Sequence, residues 1–265
     1  MAHPPNSWPE PQAQPELSSA PTPPENPIWT GIDLLQLIGA LVATMAVVPI
    51  ALILLMHLTI HKRLSLTEIA KLPDLVLLAQ LAIYAVAFAV MRWLVRARGG
   101  RFWDAVRWSW PQSSWGVFLF VGIGLYFVLI GLSQLLPIPK HLPIDRFFQT
   151  AREAAIMSLI AITFAPLMEE LFFRGFLYPV LARRVGKIIA ILLTSTLFGL
   201  LHGAQLGYSW AVLIIFLVGV VLTTVRAVTK SVASSFLVHV GYNATLSALL
   251  FIATSGFRHL ERLNQ

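Results

Sequence analysis

From Leu34 onward this chain is a succession of apolar runs of about membrane length, which leaves it few folds. Backbone N–H and C=O groups in hydrocarbon find no water, so a spanning segment must form a helix or join a closed barrel. Helical spans need about 20 apolar residues, barrel strands only about 9–11. The runs here cover residues 34–60, 75–94, 115–136, 154–181, 188–202, 210–225 and 232–254. They predict an all-α, polytopic transmembrane helical bundle of about seven or eight spans. Charged residues make up only 12% of the chain, about half the share usual in soluble domains. The expected location is therefore an integral, multi-pass one, in the cell membrane if the source is prokaryotic.

The first 30 residues form a different zone. Nine of the 17 prolines fall before residue 28, mixed with Gln, Glu, Ser and Asn. This composition predicts a disordered, Pro-rich tail over residues 1–30, followed by a transmembrane domain over 31–265. The first Lys or Arg is Lys62, so the basic start of a signal peptide is missing. With no cysteine there is no thiolate nucleophile, disulfide or Cys-based metal site. The net charge of +7 comes from Lys and Arg placed mainly between apolar runs. There they meet lipid headgroups, and no nucleic-acid motif accompanies them.

Against this apolar background a few polar side chains stand out. Each ionised group at bilayer depth costs about 2.5–3.5 kcal/mol on insertion scales, so it must pair, line a wet cavity or do chemistry. Glu169, Glu170 and Arg174 lie together in the fourth run. On a helix Glu170 and Arg174 are one turn apart, in the order that favours a pair. Glu169 then lies about 100° around the axis, free to face a cavity. A purely structural cluster of all three is the competing reading. Pro166, three residues earlier, predicts either a tilted helix or two pieces hinged near it.

Two further runs carry polar residues at helical spacing. Phe198 and His202 share one face near the end of the fifth run, with Gly199 between them. His239 and Asn243 share one face inside the seventh. His202, near a span end, could be only an interfacial residue, and His239 with Asn243 could serve only in hydrogen bonding between helices. His57 and His61 have a metal-like spacing, but residue 58 is Leu, so the Glu of a His-Glu-x-x-His metalloprotease is missing. They read as interfacial histidines. No Gly-x-Ser-x-Gly elbow is present.

Together these residues supply a carboxylate, two imidazoles, an amide and a compensating arginine. In order and spacing, Glu169-Glu-x-x-x-Arg174, Phe198-x-x-x-His202 and His239-x-x-x-Asn243 resemble the three motifs of the CPBP family. These intramembrane proteases are related to type II CAAX prenyl endopeptidases and are also called the ABI family. The resemblance covers about residues 150–250. It implies a protease-like core there and hydrolysis of membrane-tethered peptides, prenylated CAAX-type chains among them.

Carried over, Glu169 would be the general base and His202 would hold the attacking water. His239 and Asn243 would donate to the oxyanion, while Glu170, Arg174 and Phe198 would support the site. The resemblance also leaves a zinc alternative, with Glu169, His202 and His239 as ligands. Glu170 would then have to be the base, although it is better placed to pair with Arg174. The metal-free mechanism, with no cofactor, is the preferred expectation. The expected partners are membrane lipid and a membrane-tethered peptide or protein. Two other functions compete: a non-catalytic scaffold or immunity-type partner-binding protein, and a proton-coupled transporter.

Overall fold

The computed structural model of the protein describes residues 25–261. Among these residues all the regular secondary structure is helical, with no strand. Nine helices carry the architecture: α1 (Gly31–Thr59), α2 (Pro73–Ala97), α3 (Trp115–Ser133), α4 (Ala151–Ile162), α5 (Phe164–Glu169), α6 (Tyr178–Val185), α7 (Lys187–Leu201), α8 (Ala211–Thr229) and α9 (Val232–Ala253). A π-helical stretch, Glu170–Leu177, joins α5 to α6.

Six helical segments are long and apolar enough to cross a membrane: α1, α2, α3, the composite Ala151–Val185, α8 and α9. The protein is an integral, multi-pass membrane protein. The span count differs from the seven or eight expected because α7 has 15 residues. At 1.5 Å per residue it reaches only about 22 Å, short of a hydrocarbon core of about 30 Å. This short helix carries His202 to a depth inside the bundle.

Local chemistry places the helix ends. Thr30 caps α1 in a reciprocal capping box with Asp33, and Thr150 does the same for α4 with Glu153. The fourth run is indeed broken, but at Thr163 (φ −115°, ψ −78°) rather than at Pro166 itself. A proline ring clashes with the carbonyl four residues back, here that of Ile162, so the break falls upstream of the proline. Pro179 has a related effect further on. It has no N–H to offer Gly175, and the helix widens ahead of it, with Tyr178 N–H donating to the Phe173 carbonyl five residues back.

The helices approach closely where glycine allows it. Gly122 of α3 lies against the backbone of α9, and Gly241 of α9 against Leu119 of α3. In a membrane, where lipid is as apolar as leucine, such backbone approach is a main source of helix association. Helix α7 packs on α8 in the same way, with Gly199 against Val212 and Phe216.

The expected Pro-rich tail lies outside the described residues as far as residue 24. Its last part, residues 25–30, is described and is packed. Trp29 is buried, stacks on Phe176 at 4.3 Å between centroids and donates its indole N–H to the Phe176 carbonyl at 3.1 Å. Glu25 accepts from both terminal nitrogens of the buried Arg226, at 3.0 and 3.3 Å. The packed chain therefore reaches back past residue 31 and buttresses the π-helical stretch.

Candidate active site

The site forms where α5 passes into the π-helical stretch, beside the C-terminal end of α7 and the middle of α9. Glu170 and Arg174 are wholly buried there. Arg174 Nη1 donates to Glu170 Oε1 at 2.9 Å. Its Nε donates to Thr223 Oγ1 at 3.2 Å, and its Nη2 to the Gly219 carbonyl at 3.1 Å. The guanidinium also lies 4.5 Å from the centroid of the Phe198 ring. A buried charge is tolerable when it is both paired and hydrogen-bonded, and Arg174 is both.

Glu170 also fixes His239, whose Nδ1 lies 3.0 Å from Glu170 Oε1. A carboxylate paired with arginine can only accept, so this nitrogen carries the hydrogen. The other nitrogen, Nε2, then points at Glu169 Oε2 from 3.7 Å. His202 repeats the arrangement. Its Nδ1 donates to the Phe198 carbonyl at 2.8 Å, and its Nε2 faces Glu169 Oε1 from 3.9 Å. Phe198 packs between the two rings, 4.7 Å from His202 and 5.9 Å from His239 between centroids.

Glu169 is thus approached by two oriented imidazoles, each beyond direct hydrogen-bond range. Its side chain keeps 18% exposure, against 0% for Glu170. The two adjacent carboxylates occupy different environments, one in an ion pair and one facing a cavity.

That cavity has a volume of about 260 Å³ and a mainly apolar wall, into which Glu169, His202, His239 and Asn243 all project. Asn243 Nδ2 donates to the Ala161 carbonyl at 2.7 Å. This carbonyl lies just before the Thr163 break, where the regular helical donor sequence is interrupted. One amide hydrogen of Asn243 is therefore engaged and the second is left over.

All the site residues read from sequence meet in one place, although they come from separate helices. The His57 and His61 pair does not. His57 sits at the C-terminal end of α1 and its Nδ1 bonds the Leu64 carbonyl at 3.0 Å, closing the following turn.

Several contributors were not legible in the sequence. Tyr84 and Gln80, one turn apart on α2, line the same cavity. Ile144 and Phe147 reach it from the loop before α4, and the Ile144 N–H holds that loop to the Gln205 carbonyl at 3.0 Å. Thr223, a polar residue in the run over 210–225, is another. It bonds the Gly219 carbonyl at 2.7 Å and also receives Arg174. Gln80 and Tyr84 at helical spacing inside an apolar run were the available signal, and tyrosine is too common near membrane interfaces for that signal to stand out.

The zinc alternative needs Glu169, His202 and His239 to converge within about 2.0–2.2 Å of one point. Among the described residues no group of three or more His, Asp or Glu side chains is gathered closely enough to hold a metal. The Nε2 atoms of His239 and His202 lie 3.7 and 3.9 Å from the Glu169 carboxylate, so the three groups face one another without being drawn onto one point.

Residues 151–245 match the family model described as Type II CAAX prenyl endopeptidase Rce1-like. The match spans every site residue read from sequence and stops short of α2. No curated protein and no solved structure matches the chain.

Proposed function

We propose, on the premise that residues 151–245 belong to the Rce1-like protease family, that Glu169 activates water to hydrolyse membrane-tethered peptides within the bundle. The observation that carries this reading is the meeting of Glu169, His202 and His239 on one apolar-walled cavity. The gap between Glu169 and His202, 3.9 Å, suits a water that donates to both acceptors. Glu169 takes one proton as the water oxygen bonds to the peptide carbon and the carbonyl electrons move onto oxygen. The second amide hydrogen of Asn243 can meet that oxyanion. To donate to the same oxyanion, His239, whose Nδ1 hydrogen goes to Glu170, would need a second hydrogen on Nε2. Collapse of the intermediate breaks the C–N bond, and the proton on Glu169 passes to the leaving amine.

The apolar wall favours a substrate that arrives from lipid, with a prenylated CAAX-type chain as one fitting class. The test is cleavage of a quenched fluorescent library of membrane peptides, lipidated and plain, by the purified protein with and without a zinc chelator. Activity kept in chelator supports the metal-free glutamate reading. Activity lost in chelator and restored by zinc would overturn it.

Tyr84 lines the same cavity, and its side chain hydrogen-bonds Gln80. Tyr84→Phe keeps the ring and removes one neutral hydrogen-bonding group, worth about 0.5–1.5 kcal/mol. The expected result is a kcat/KM lower by roughly 2–10-fold, measured on the best peptide from that library. An unchanged value would remove Tyr84 from the site.

A further inference from the structure

We propose that the pocket at the C-terminal end of α2, lined by Arg92, Arg96 and Arg101, binds the phosphate of an anionic phospholipid. Its volume is about 270 Å³, and Gly100, Phe102, Trp103 and Asp104 complete its wall. Arg92 and Arg96 are one helical turn apart, so two like charges face each other on one side of α2, an arrangement that is destabilising without an anion. Two of the carboxylates nearby are committed outside the pocket, and the third, Asp104, pairs with Arg101 on its wall. Asp33 takes Arg98 at 2.9 Å, Glu25 is shared by Arg226 and Arg107 at 3.0 and 3.5 Å, and Asp104 lies 3.3 Å from Arg101. Among the described residues neither the Arg92 nor the Arg96 guanidinium has an ion-pair or hydrogen-bond partner.

Depth argues for lipid as the source of the anion. Trp93 on α2 and Trp103 on the pocket wall are both exposed on the outer surface. Exposed tryptophans at the end of a spanning helix sit at headgroup level, which places the neighbouring guanidinium groups at the level of lipid phosphates. Guanidinium is also the side chain best shaped to grip a phosphate through two parallel N–H donors. The same end of the bundle carries Arg183, Arg184, Lys187 and Lys230 against few acids, so the surrounding surface also attracts anionic lipid. None of this depends on the protease reading.

The test is native mass spectrometry of the detergent-solubilised protein, titrated with phosphatidylglycerol, phosphatidylcholine or inorganic phosphate. Phosphatidylglycerol is expected to bind more tightly than phosphatidylcholine. The Arg92→Gln/Arg96→Gln double variant should weaken it by about 10–30-fold, from about 1 kcal/mol for each arginine near a membrane surface. Arg152→Gln, at the other end of the bundle in the Asp74 ion pair, should bind like wild type. The Arg92→Lys/Arg96→Lys variant keeps both charges and loses the planar fork. It should fall between the two, which also guards against a misfolded glutamine variant. Equal binding of the two lipids, or full phosphatidylglycerol binding by the glutamine variant, would overturn the proposal. So would saturation by inorganic phosphate that blocks the lipid, because the site would then take a soluble anion.

Discussion

Glu169→Gln is expected to leave the fold intact and to reduce peptide hydrolysis by about 10²–10⁴-fold, the worth of a positioned general base. Glutamine has the size of glutamate but cannot take a proton from water. The fold should tolerate the change because Glu169 sits on a cavity, with its nearest ionic neighbours at 3.7 and 3.9 Å. Its side chain completes no buried ion pair. The measurement is kcat on the best library peptide, with thermal unfolding in the same detergent as the control. A variant that unfolds like wild type and has lost activity would place the base at Glu169. A variant with the wild-type rate would sink that role, whatever happened to its stability.

The second large effect is on stability and arises from the neighbouring pair. Arg174→Ala is expected to destabilise the protein by about 3–5 kcal/mol, because it strands the carboxylate of Glu170 in a fully buried position. Thr223 and the Gly219 carbonyl lose their guanidinium partner as well. The double variant Glu170→Gln/Arg174→Ala removes the stranded charge and should recover part of that loss, so the two changes should be strongly non-additive. Reversible unfolding of all the variants in one detergent checks this. If the double variant were as unstable as the sum of its single changes, the ion pair would not be the cause. Activity should remain low even where stability returns, since Gln at residue 170 holds His239 less firmly than a carboxylate does.

The different environments of Glu169 and Glu170 were legible in the sequence. Helical spacing puts Glu170, not Glu169, one turn from Arg174, and the ion pair forms there at 2.9 Å. The same spacing put Phe198 with His202 and His239 with Asn243. These inferences held because a helix fixes the angle between nearby residues whatever surrounds it. They even survived the π-helical stretch, since Glu170 and Arg174 still meet. The break near Pro166 was legible too, but its position at Thr163 depended on where the ring meets the carbonyl of Ile162. The span count was less secure, because the run over 188–202 is apolar without being long.

Composition misled in one place. Residues 25–30 read as the end of a Pro-rich tail, yet Trp29 is stacked on Phe176 and Glu25 is bound to Arg226. The partners that order these residues lie about 150 to 200 positions further along, so no local pattern reveals them.

The sequence by itself determined the class of this protein, a helical membrane bundle, because unsatisfied backbone in hydrocarbon leaves apolar runs of this length little choice. It also determined which polar side chains share a helix face, since that follows from helical geometry alone. Only the tertiary structure decided which faces meet, that α2 brings Tyr84 to the cavity, and that Asn243 is tied to Ala161. Lipid offers transmembrane helices no hydrophobic preference for one another, so these choices rest on close packing and hydrogen bonds between distant segments.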